Sequence, residues 1–125
     1  GLRMALDLTK EWDALDNGSA LLTGVVVARS AFIDENPQAV SDFLDAYKQS
    51  VAYANEHVDE TAALIGQYDI ITEEVAKVAL PQCAIVYIDG EEMTQALSGY
   101  LQVLYDQNPA SVGGALPDEA FYYQR

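Results

Sequence analysis

Leu21-Leu22-Thr23-Gly24-Val25-Val26-Val27-Ala28 is the stretch whose reading decides the fold. It is eight residues long, uncharged, free of proline and rich in β-branched side chains. That composition predicts a strand buried on both faces, as in a parallel sheet. Gly24 inside it predicts a kink or a close approach by another group. Such a strand needs neighbours on both edges, and the rest of the chain offers few. The expectation is a central strand whose flanking partners come from elsewhere.

N-terminal to it, Leu2, Met4, Leu6 and Leu8 alternate with Arg3, Ala5 and Asp7. This period of two predicts a strand with one face in a core. Thr9 to Asp16 form a polar connection holding Trp12, the single tryptophan. Asp16-Asn17-Gly18-Ser19 is turn chemistry, because Asn and Gly tolerate positive φ. Its Asn-Gly-Ser tripeptide also matches a glycosylation sequon, but a tight turn explains it as well.

On the C-terminal side the pattern changes to helical spacing. Asn36 and Pro37 suit an N-cap and a first helical position. Val40, Phe43, Leu44, Tyr47 and Val51 then predict a helix from Pro37 to about Asn55. A shorter helix capped by Asp59 holds Ala62, Leu64 and Ile65. Another, capped by Thr72, carries Glu73 and Glu74 in its first turn and stops at Pro81. Ala84 to Ile88 predict a short strand. Asp89 then opens a last long helix, with Glu92 placed for a capping-box contact and Met93, Leu97, Tyr100, Leu101 and Leu104 as its apolar stripe. Asn108-Pro109 ends it, and an irregular tail follows.

With 125 residues, half of them hydrophobic, the chain has room for one compact core. Six basic against twenty acidic side chains give a net charge of −14. Nucleic-acid binding requires the opposite balance, and so does docking on anionic lipid. No apolar run approaches the roughly 18 residues of a membrane span. The opening Gly1-Leu2-Arg3-Met4 reads as part of a longer chain or a processed product, without an export signal of its own.

Catalytic chemistry is sparse. His57 is the only histidine and falls near a helix end, where a cation is favoured. Cys83 is the only cysteine; it sits beside Ala84-Ile85-Val86 and reads as a buried, inert thiol. No zinc, calcium, P-loop or dinucleotide motif is present, so neither a metal nor a cofactor is implied. Glu73-Glu74 and Glu91-Glu92 open helices, and neighbouring residues there point in different directions. Tyr47 and Tyr100 fall on apolar stripes and read as packing. Trp12 is the aromatic that packing explains least.

Several phrases in order carry a resemblance: Thr23-Gly24-Val25-Val26-Val27-Ala28-Arg29, Phe32, Glu35-Asn36-Pro37, and Val40-Ser41-Asp42-Phe43-Leu44-Asp45-Ala46-Tyr47. Tyr53-Ala54-Asn55-Glu56, Thr72-Glu73-Glu74-Val75-Ala76, Ile85 to Met93 and Leu104 to Asp118 extend it. Together they resemble the C-terminal part of substrate-binding proteins of ABC importers, in the nitrate/sulfonate/taurine group also called NMT1/THI5-like. The resemblance implies an α/β fold, part of a two-lobed clamshell of the type II periplasmic-binding-protein kind, helix-rich with a few strands. Residues 1–20 would end one lobe and connect near the cleft, and residues 21–125 would be the C-terminal part of the other.

By that resemblance the chain is extracytoplasmic, periplasmic or lipid-anchored at the cell surface, and not an enzyme. Its partners are a small-molecule ligand and the ABC permease subunits. Glu11, Trp12, Thr23 and Gly24 are the candidate ligand-binding residues: a carboxylate and a ring from the polar connection, and a Thr-Gly backbone that a ligand can approach. The plain alternative for Thr23 and Gly24 is a hinge crossing. Open strand edges also predict self-association. Two other functions stay open, an enzyme of the same fold acting on a pyrimidine or menaquinone precursor and an acidic protein-interaction domain. A helical course for Leu21–Ala28, or its exposure to solvent in a self-sufficient bundle, would overturn the importer reading.

Overall fold

The computed structural model describes residue 3 and residues 5–125, and among these every regular element is helical. The helices are α1 (Leu8–Asp13), α2 (Ser30–Glu35), α3 (Pro37–Glu56), α4 (Val58–Gln67), α5 (Glu73–Ala79) and α6 (Gly90–Gln107). Short 3-10 turns cover Leu80–Gln82, Pro109–Val112 and Glu119–Phe121. The chain divides into two compact units, Ala28–Tyr87 and the remainder, Gly1–Val27 with Ile88–Arg125.

The α/β expectation is therefore overturned: the described residues contain no strand, and the fold is all-α. Leu21–Ala28 lies in no helix or turn and has no ladder partner among the described residues. Val25, Val26 and Val27 are 58%, 54% and 78% exposed. Gly24 has open space where a side chain would begin, so no group approaches it closely. A strand is completed only by hydrogen bonds to another segment, and no other described segment supplies them.

The other two predicted strands fail for more local reasons. Leu2 and Met4 lie outside the described residues, while Leu8 opens α1. The Asp7 carboxylate captures the Thr9 and Lys10 amides at 3.2 and 3.4 Å, which starts a helix where alternation predicted a strand. At Ala84–Ile88 the backbone bonds are spent nearby. The Ile85 amide donates to the Cys83 carbonyl at 2.9 Å, and the Asn55 side chain donates to the Ile85 carbonyl at 2.9 Å. Cys83 is exposed, not buried as expected.

In the Ala28–Tyr87 unit, α3 runs one residue beyond its predicted end. Asn36 occupies the N-cap but donates its side chain back to the Phe32 carbonyl at 3.1 Å, which closes α2. The buried residues among those described are Val40 and Val51 on α3, Ala62 on α4 and Ala76 on α5. Ala62 and Ala76 are fully inaccessible, and a side chain on Gly66 would meet Glu73 at 3.2 Å. Small residues thus let α4 and α5 pack closely. Lys77 spans the pair, 2.8 Å from Glu73 and 4.0 Å from Asp59.

Helix α4 starts earlier than predicted. His57, not Asp59, is its N-cap and also closes α3, with its ring stacked on Tyr53. The helix ends on a Schellman motif. Ile70 donates to the Ile65 carbonyl and Asp69 to the Gly66 carbonyl, both at 3.1 Å, with Asp69 at φ +54°. Thr72 caps α5 as predicted, accepting from the Val75 amide at 3.5 Å.

In the other unit, α6 matches its predicted span. Asp89 is its N-cap residue but makes no capping bond; its carboxylate instead lies 3.5 Å from Arg125. No described helix is long and apolar enough to cross a membrane.

Candidate functional site

The candidate ligand residues lie in the unit formed by the two ends of the chain. Trp12, on the last turn of α1, is the best fixed of them. Its indole N–H donates to the Ser19 hydroxyl at 2.9 Å, and its ring lies 5.3 Å from that of Tyr100 on α6. Ser19 is oriented in turn: its hydroxyl donates to Asn17 at 2.6 Å and its amide to the same oxygen at 3.1 Å. The predicted turn is real, with Asp16 at φ +47° and Gly18 at φ +74°. Gly99 lets this turn rest on α6, since a methyl there would meet the Ser19 side chain at 3.2 Å.

Trp12 is thus half-buried and held at both its polar edge and its face. Glu11 is exposed beside it, and Thr23 and Gly24 are exposed in the Leu21–Ala28 segment. No hydrogen bond, ion pair or ring contact joins Glu11 or Trp12 to Thr23 or Gly24. The structure fixes the ring and leaves the other three open to solvent.

An open groove of about 620 Å³ lies elsewhere in the same unit, between α6 and the C-terminal tail. Thr94, Ser98 and Gln102 form one wall, and Leu116, Pro117 and Tyr122 supply apolar surface. Burial raises the Tyr122 phenol above its ordinary pKa. Gln124 closes the groove by donating to Thr94 at 2.7 Å. Among the described residues Asp118 and Glu119 are its only charged lining, so it repels anions. Thr94, Ser98 and Gln102 form an uncharged polar stripe at i, i+4, i+8 on α6, a signal present in the sequence beside the apolar stripe of the same helix.

In the other unit, a shallow crevice of about 500 Å³ runs between α3 and α4 past Tyr53, Thr61 and Leu64. The Thr61 hydroxyl is buried there without a hydrogen-bond partner. No described group of three or more His, Cys, Asp or Glu residues is arranged to hold a metal ion.

Residues 8–61 match the model of a family described as NMT1/THI5-like. The match spans less than half of the chain. It covers α1, the Leu21–Ala28 segment, α2, α3 and the start of α4, and includes all four candidate residues. It supports the resemblance over that stretch; the motifs from Thr72 onward lie outside it. No curated protein and no solved structure matches the chain.

Proposed function

We propose that this chain belongs to the solute-binding component of an ABC importer, which captures a small molecule outside the cytoplasm and presents it to the permease without chemical change. One observation carries the reading, the NMT1/THI5-like match over residues 8–61. The described residues form no buried sheet that would give independent support, so the reading stands on the family match and on the residues within it. Trp12 suits the role because its ring is already immobilised. Stacking a planar or apolar ligand group on it costs little further side-chain entropy.

Within the nitrate, sulfonate, taurine and pyrimidine classes, charge favours some ligands over others. Glu11 is the charged member of the candidate set, and the chain carries −14. A simple anion such as nitrate is disfavoured, and a neutral or amine-bearing ligand is favoured.

Calorimetric titration with nitrate, taurine and an aminopyrimidine tests the reading, with ligand recovery measured afterwards. The expected result is saturable binding of taurine or the pyrimidine, quenching of Trp12 fluorescence and full recovery of unaltered ligand. Glu11→Gln and Trp12→Phe should each weaken binding several-fold. Conversion of the ligand, or no heat with any of the three, overturns the proposal.

A further inference from the structure

We propose that Leu21–Ala28 is a self-association surface through which two copies of the chain pair antiparallel, gated by ionic strength. The inference is independent of the transport reading. Three observations lead to it.

First, the backbone is available. Among the described residues, positions 20–28 make no backbone hydrogen bond, and no side chain bonds to them. The segment lies in no helix or turn and contains no proline. Pairing would therefore break no existing backbone bond before the ladder forms. Second, the exposed side chains are those that strands favour: Thr23, Val25, Val26 and Val27 are β-branched and solvent-facing. An uncharged run of this kind is a template for another copy of itself.

Third, charge selects the occupant and the direction. No charged residue lies between Asp16 and Arg29. Antiparallel pairing with Val25 opposite Val25 of the second copy keeps opposite side chains on one face and places Leu21 opposite Arg29. Arg29 of each copy then sits at the end from which the other copy's chain leads back to Asp16. Opposite charges approach at both ends of a two-fold interface. Parallel in-register pairing would instead set Arg29 against Arg29 and Asp16 against Asp16, which is repulsive.

The remaining net charge opposes association at long range, because each copy carries −14. Repulsion of that kind is screened over about 30 Å at 0.01 M salt and about 8 Å at 0.15 M. Association should therefore strengthen as salt rises.

Sedimentation velocity of the whole chain from 0.01 to 0.5 M sodium chloride tests this, beside Val25→Pro and Val26→Pro. Alternate N–H groups point to opposite edges of a strand, so one of the two prolines removes a donor from whichever edge is used. The expected result is a monomer at low salt whose mass doubles at high salt, with antiparallel β signal appearing in the infrared amide band. At least one proline variant should stay monomeric at every salt concentration with unchanged helical circular dichroism. If a proline variant loses helicity, Val26→Lys serves in its place and should also stay monomeric. A wild-type chain that is monomeric throughout overturns the proposal, as does association that weakens with salt. So does doubling in all of the variants, which would place the contact elsewhere.

Discussion

Leu21–Ala28 and α3 are both rich in apolar residues, yet one is solvent-exposed and unpaired while the other anchors a core. The difference lies in where each finds its hydrogen bonds. Helix α3 closes its own ladder within twenty residues, and Pro37 at its start needs no donor. Its apolar stripe then only has to be covered, and Val40 and Val51 are buried. Leu21–Ala28 has equally suitable side chains but needs a second segment to complete its backbone. Apolar composition stabilises an element only when its backbone groups are also satisfied.

The strongest way to break that comparison is to remove one backbone donor from each region. Ala46→Pro, in the middle of α3, should cost about 3 kcal/mol or more, because it deletes a ladder bond and clashes with the preceding turn. Val26→Pro should change monomer stability by less than about 0.5 kcal/mol, since no bond is lost there. Urea denaturation at low salt measures both, and equal losses would refute the contrast.

Overpacking probes the small-residue seam. Ala62→Leu should destabilise by about 1–3 kcal/mol, because the methyl it replaces is fully enclosed. A neutral result would mean that α4 and α5 do not pack as closely as Ala62 and Ala76 indicate.

Asp69 offers a change of opposite sign. It holds a left-handed conformation at the end of α4, which glycine adopts without strain. Asp69→Gly should stabilise by about 0.5–1 kcal/mol in the same assay, and a loss of stability would place a needed interaction on the carboxylate.

The smallest effect is at Lys77. Its hydrogen bond to Glu73, aided by the charges of Glu73, Asp59 and Glu74, raises its pKa above the ordinary 10.5. The folded state holds this proton more tightly than the unfolded state. The pair's contribution is therefore complete below pH 10.5 and is lost as pH rises through the elevated value. Because Lys77 is exposed, the slope should be shallow, and Glu73→Gln should flatten it. A slope unchanged by Glu73→Gln would assign the alkaline loss elsewhere.

The helices were legible in the sequence because their signals are local. Asn36-Pro37, Thr72 and Asn108-Pro109 mark boundaries that the structure keeps, and α3 and α6 lie within a residue or so of where periodicity puts them. The strands were not legible, because alternation and β-branching state a preference and not a partner. At Leu8 a capping aspartate outweighed alternation, and at Ile85 the Asn55 amide took the carbonyl that a ladder would have used. Trp12 stood out as the aromatic that packing explained least. Its hold on Ser19 and Tyr100 was hidden, since the three meet only through the turn at Gly18 and the gap at Gly99. The α6 groove was missed because Thr94, Ser98 and Gln102 are neither charged nor apolar enough to draw notice.

Amide hydrogen exchange at 0.01 M salt, where copies repel one another, tests the contrast between the two regions most directly. The account predicts that amides from Leu21 to Ala28 exchange at near-unprotected rates while those in the centre of α3 are slowed by orders of magnitude. Slow exchange at Val25, Val26 and Val27 in a monomeric sample would show those groups hydrogen-bonded within a single chain and would contradict it.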